Sequence, residues 1–130
     1  DPTTEYLDRA NEQTLLGVMI EDVEGVENVE DIAAVEGIDL LFVGPGDLSH
    51  SYGVERAGAA VTQPQVVEAF DRVGEACRQH GKVMGTAGAP DESMRFVVEK
   101  GVRWLNCCHD TVAARTGYAQ ALEEARRIVG

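Results

Sequence analysis

The chain is poor in positive charge, aromatic rings, cysteine and long apolar runs, and each shortage narrows what it does. Eleven Lys and Arg face 23 Asp and Glu, a formal charge of −12 at pH 7. Phosphate-backbone recognition and anionic membrane surfaces both need clustered basic side chains, so nucleic acid and membrane are excluded as expected partners. No apolar run approaches the roughly 18 residues of a spanning helix, and no basic-then-apolar leader is present. The three cysteines, Cys77, Cys107 and Cys108, form no CxxC pair. Adjacent Cys107 and Cys108 suit neither an ordinary disulfide nor a structural zinc site, so reduced thiols in a cytoplasmic protein are expected. There are only two lysines, Lys82 and Lys100. The chain begins Asp1-Pro2 without methionine, which suggests a processed start or a fragment.

What is present is a repeat. Three times a helical pattern ends in glycine and an apolar run follows: GIDLLFVG from Gly37, GKVMGTAG from Gly81 and GVRWLNCC from Gly101. An earlier run, Leu15–Ile20, follows the polar segment Thr3–Gln13 in the same way. The runs have the length of strands and are continuously apolar, as strands covered on both faces are. Helices are expected over Glu24–Glu36 with Gly37 as a left-handed cap, from Pro64 to Gly81, from Pro90 to Gly101, and from an Asp110 cap onward. The longer loop Ser49–Thr62, with Gly53 and Gly58, reads as a flap. The order is α, then βα four times, which means a parallel sheet. An open doubly wound sheet and half of an eight-stranded barrel both fit, and both gather chemistry at the C-terminal ends of strands.

The first strand ends in Ile20-Glu21-Asp22 and the second in Val43-Gly44-Pro45-Gly46-Asp47. The ends of neighbouring strands lie about 5 Å apart. Two carboxylates there repel unless protons or a cation intervene. Magnesium and manganese prefer such oxygen ligands, and two protein ligands leave coordination positions for a substrate. The open backbone around Gly46 would seat a carboxylate on helix-start amides, and a chelating 2-oxo acid would use both features. The alternative is plain: acidic residues after strands commonly cap the next helix.

Val18–Gly53, VMIEDVEGVENVEDIAAVEGIDLLFVGPGDLSHSYG, resembles the metal-dependent pyruvate aldolases that act on 4-hydroxy-2-oxoheptanedioate and 2-keto-3-deoxy sugar acids. The matching pattern is an IE(T/D) strand end, a helix, then GxDxxFxGPxDLSxxxG. The resemblance implies the C-terminal half, four βα units, of a (β/α)8 TIM barrel with parallel strands, as one domain over 1–130. It implies Glu21 and Asp47 as ligands of a divalent metal (Mg, Mn or Co), and the backbone of Gly46 and Asp47 as the seat of the pyruvate carboxylate. The implied reaction is cleavage of a 4-hydroxy-2-oxo acid to pyruvate and an aldehyde, in a homo-oligomer (a dimer-based hexamer with its last helix exchanged). Neither lysine lies at the reacting end of a strand, which disfavours an imine route.

Departures from the family pattern are informative. The family's substrate arginine and its histidine–aspartate base come from the first half and have no counterpart here, so this chain alone is expected to lack most activity. Met19 stands where some members carry glutamine. The fourth strand ends CCHD, which makes His109 a candidate for contact with the distal end of the substrate. His50 reads as solvated, His80 as a helix-end residue and Trp104 as packed. Two rivals remain: a malyl- or citryl-CoA-type lyase, which would need basic residues for the CoA phosphates, and a non-catalytic half-barrel that binds or assembles.

Overall fold

A computed structural model describes residues 2–54, 60–88 and 91–130. Helix α1 spans Pro2–Gln13 and leads into strand β1, Gly17–Ile20. Two short helices, α2 (Val23–Glu27) and α3 (Val29–Ala34), cross to β2, Leu40–Val43. Helix α4 (Pro45–Ser51), a 3-10 turn (Ala60–Thr62) and α5 (Pro64–His80) lead to β3, Val83–Ala87. Then come α6 (Glu92–Glu99), β4 (Trp104–Asn106) and α7 (Asp110–Val129).

The four strands form one parallel sheet in sequence order, β1-β2-β3-β4. Register places Ile20, Val43, Thr86 and Leu105 in one row across it. This row faces the helices. Ile20, Val43 and Thr86 are buried, and with Leu41 and Met84 the apolar members of this face pack against Val26, Val29 and Ala33 of α2 and α3 and against Val66, Phe70, Val73 and Cys77 of α5. Thr86 is tolerated there because its Oγ1 donates to Val43 O at 2.8 Å. Burial also pushes the Cys77 thiol up from 9.0 to about 11, so it sits in the core as a neutral, inert group.

Helix α5 follows its sequence signals closely. Pro64 occupies the first turn, and Gly81 (φ +66°) takes the left-handed cap that a side chain would resist. Elsewhere local chemistry overrides the pattern. The expected helix Glu24–Glu36 breaks at Asn28, whose Nδ2 and backbone N–H both donate to Glu24 O and end α2. Gly37 has φ +88° but caps nothing, because Val35 already turns extended after Ala34. The Pro90 start lies outside the described residues; Asp91 is the cap, its Oδ1 accepting from Ser93 N–H at 2.8 Å. The cap of α7 is His109 rather than Asp110. The expected flap begins with α4, while Gly58 lies outside the described residues.

The other face of the sheet corrects the expectation of two-sided burial. Met19, Phe42, Gly85 and Trp104 share its central row, and Met19 is 54% and Trp104 48% exposed. Trp104 is therefore not packed as expected. This is the face a closed barrel would turn inward, and it stays apolar and open here, as a half-barrel requires. Gly85 keeps the row flat: a Cβ there would stand 2.9 Å from Leu40 Cδ1 and 3.0 Å from Phe42 Cδ2. Helix α7 is exposed along its whole length, Val112, Tyr118, Leu122 and Ile128 included. Among the described residues no helix is long and apolar enough to cross a membrane.

Candidate metal and substrate site

The two acidic strand ends lie side by side. Register pairs Ile20 with Val43, and the ladder runs one step further, with Gly44 N–H donating to Ile20 O at 3.0 Å. Glu21 therefore falls beside Gly44. A Cβ built on Gly44 would stand 3.0 Å from Glu21 Cβ and 3.2 Å from Glu21 Oε2. A side chain at Gly44 would press against the Glu21 carboxylate and make it shift, a constraint the motif alone did not reveal. Asp47 follows three residues later, exposed in the first turn of α4.

The capping alternative can now be tested residue by residue. Asp22 is the cap of α2: its Oδ1 accepts from Gly25 N–H at 2.6 Å. That leaves Glu21, half-buried, with no hydrogen bond or ion pair among the described residues. Asp47 does not cap α4, whose N-cap is Gly44 and which has no side-chain cap bond. It too has no such partner among the described residues. The first intrahelical bond of α4 runs from Leu48 N–H to Gly44 O, so the amides of Gly46 and Asp47 precede the ladder. One carboxylate just past the end of β1 and one in the first turn of the helix that follows β2, both unpaired among the described residues, are hard-oxygen donors whose chemistry fits a divalent cation. Among the described residues no group of three or more His, Cys, Asp or Glu side chains could hold a metal ion.

His109 is at the same end of the sheet but not with the acids. It follows β4, two strands from β2, and stands exposed as the N-cap of α7 with no side-chain cap bond. With Ala87, Gly88, Asn106, Cys107, Cys108 and Val112 it lines a cavity of about 640 Å³, which neither Glu21 nor Asp47 lines. Cys107 and Cys108 are exposed free thiols. His50 is exposed on α4, and His80 Nε2 lies 3.0 Å from Glu30 Oε1 on the far side of the crossover. Both lysines sit at the opposite ends of the strands. Lys82 Nζ donates to Ile38 O at 2.7 Å and to Val35 O at 3.2 Å, and Lys100 pairs with Asp71 at 2.7 Å.

Residues 3–115 match the model of the family described as HpcH/HpaI aldolase/citrate lyase. A hydroxypyruvate/pyruvate aldolase of Delftia acidovorans is 39% identical over 105 residues, which are 81% of this chain and 38% of that protein. A 5-keto-4-deoxy-D-glucarate aldolase of an Enterobacter species is 34% identical over 101 residues, 78% of this chain and 38% of that one. The crystal structure of a HpcH/HpaI aldolase/citrate lyase family protein from Burkholderia cenocepacia superposes with a TM-score of 0.78 at 36% identity, covering 95% of this chain and 47% of that one. A crystallised citrate synthase, SbnG, superposes with a TM-score of 0.75 at 29% identity, covering 97% and 50%. The chain thus spans about two fifths to half the length of these relatives. Its four parallel βα units are half of their TIM barrel, and the chain belongs to the HpcH/HpaI aldolase/citrate lyase family.

Proposed function

We propose that this chain is the metal- and carboxylate-binding half of a class II aldolase that cleaves 4-hydroxy-2-oxo acids to pyruvate and an aldehyde. The observation that carries the reading is the pair Glu21 and Asp47: Glu21 beside Gly44 at the end of β1, Asp47 three residues past Gly44 in the first turn of α4, neither with a hydrogen bond or ion pair among the described residues. A divalent ion bound there supplies Lewis-acid stabilisation of the negative charge that develops when the C3–C4 bond breaks. The chain's own groups hold the substrate: the Gly46 and Asp47 amides take its carboxylate, and Gly44 keeps the Glu21 carboxylate clear of the backbone. His109 and its cavity take the aldehyde portion. The remaining half of the barrel brings the arginine and the proton-transferring histidine–aspartate pair.

The citrate synthase likeness brings in a second carbon–carbon chemistry. The net charge of −12 disfavours the CoA-type variant, because nothing in this chain clusters basic residues for its phosphates. The test is chelation of the complete barrel protein. EDTA abolishes pyruvate release from a 4-hydroxy-2-oxo acid, and excess magnesium, manganese or cobalt restores it. Full activity in EDTA, or borohydride trapping of a substrate imine, would remove the reading.

The same proposal extends to assembly. Helix α7 leaves Val112, Leu122 and Ile128 exposed among the described residues, which suits exchange of this helix between copies in a homo-oligomer. Light scattering is expected to give a multiple of the single-chain mass; a monomer at micromolar concentration would sink this part. The free thiols suit a reducing cytoplasm.

A further inference from the structure

The two carboxylates stand on different elements, Glu21 on the turn into α2 and Asp47 on α4. Their separation is therefore set by whatever ties those elements together. At the base the tie is the Gly44–Ile20 bond at 3.0 Å. Further out there is a second one. Val23 N–H, two residues past Glu21, donates to Ser51 Oγ at 3.1 Å. Ser51 is the last residue of α4 and lies one turn beyond Asp47, on the same side of the helix.

We propose that Ser51 is a positioning residue for the metal site: its hydroxyl fastens the Glu21 turn to the Asp47 helix and so fixes the distance between the two carboxylates. This rests on the reading of Glu21 and Asp47 as a metal-binding pair. The rest of the Ser49-His50-Ser51 run shows how particular the contact is. Ser49 Oγ is spent inside its own helix, donating to Pro45 O at 2.8 Å, and His50 is exposed. Only Ser51, among these three, reaches across to the other acidic turn. Val23 N–H is also one of the donors that the start of α2 leaves without an intrahelical acceptor, since Asp22 serves Gly25 instead. Groups that orient metal ligands commonly matter about tenfold or more in metal affinity.

The experiment is a Mn²⁺ titration followed by electron paramagnetic resonance, on the parent protein and on Ser51→Ala, Ser51→Thr and His50→Ala, with amide exchange at Val23 measured in parallel. Ser51→Ala is expected to expose the Val23 amide to exchange and to weaken Mn²⁺ binding about tenfold. Ser51→Thr, which keeps the hydroxyl, retains parental affinity, and His50→Ala is silent. If Ser51→Ala binds Mn²⁺ like the parent while its Val23 amide exchanges freely, Ser51 only caps α2 and the proposal falls alone. If Ser51→Thr is as weak as Ser51→Ala, the hydroxyl is not the cause and the proposal is again overturned. If the parent protein binds no Mn²⁺, the metal reading of Glu21 and Asp47 falls first and takes Ser51 with it.

Discussion

In the complete barrel protein, Asp47→Asn is expected to bind Mn²⁺ at least about 100-fold more weakly than the parent and to release pyruvate about 10³-fold more slowly, at an unchanged unfolding midpoint. Glu21→Gln behaves the same way. Both changes keep the shape of the side chain and remove only its charge. Neither carboxylate has a hydrogen bond or ion pair among the described residues, so the folded state loses nothing by the exchange. A metal acting as Lewis acid contributes several kcal/mol to the barrier, and each 1.36 kcal/mol is a factor of ten in rate. Asp22→Asn is the internal control. Its role is the cap of α2, a role asparagine fills about equally well, so metal binding persists. Isothermal titration with Mn²⁺ and a coupled pyruvate assay read both quantities. Parental affinity in Asp47→Asn would return Asp47 to the status of a surface acid in a helix's first turn.

Phe70→Ala is expected to destabilise the protein by about 3–5 kcal/mol, a large share of the roughly 5–15 kcal/mol that holds a domain folded. Phe70 is fully buried, on the face of α5 that also carries Val66 and Val73. It belongs to the same buried core cluster as Ile20, Val43, Val97 and Val102, so its removal opens a cavity within the one core that the sheet and helices share. Tyr118→Ala is the matched aromatic truncation on α7, where the ring is 78% exposed, and it costs less than about 0.5 kcal/mol within one chain. Urea unfolding with a common m-value separates the two. A loss under about 1.5 kcal/mol at Phe70 would mean that α5 is not the element that holds the sheet's covered face.

The sequence and the structure agree where a local signal has one physical outcome. Pro64 and Gly81 bound α5 because proline suits a first turn and only glycine takes φ +66° without strain. The apolar runs that precede Glu21 and Gly44 likewise form the strands β1 and β2 that the sequence leads one to expect. Agreement ends where two local preferences compete or where a distant residue decides. Glu24–Glu36 has helical periodicity throughout, yet the Asn28 side chain offers Glu24 O a second donor and splits the segment in two. Glu21 and Asp22 are equivalent in sequence, and only the Gly25 amide, taken by Asp22, separates cap from free carboxylate. Gly44 and Ser51 act across the βα turns on partners 23 and 28 positions away, contacts no motif spells out. The apolar runs read as doubly covered strands because composition does not tell covered faces from a face awaiting its partner.

Sequential strand order bears on how the candidate site is assembled. Among the described residues β2, β3 and β4 each pair with the strand made just before them, so this part of the sheet can grow by accretion. Glu21, Gly44, Asp47 and Ser51, with the bonds that tie them, all lie between the end of β1 and the end of α4. These four residues fall within a stretch of about thirty, which is complete on a nascent chain before β3 or β4 has been synthesised. On the proposed reading of Glu21 and Asp47 as a metal-binding pair, a divalent ion would act as a fastener of this βαβ unit during folding as well as in the later chemistry.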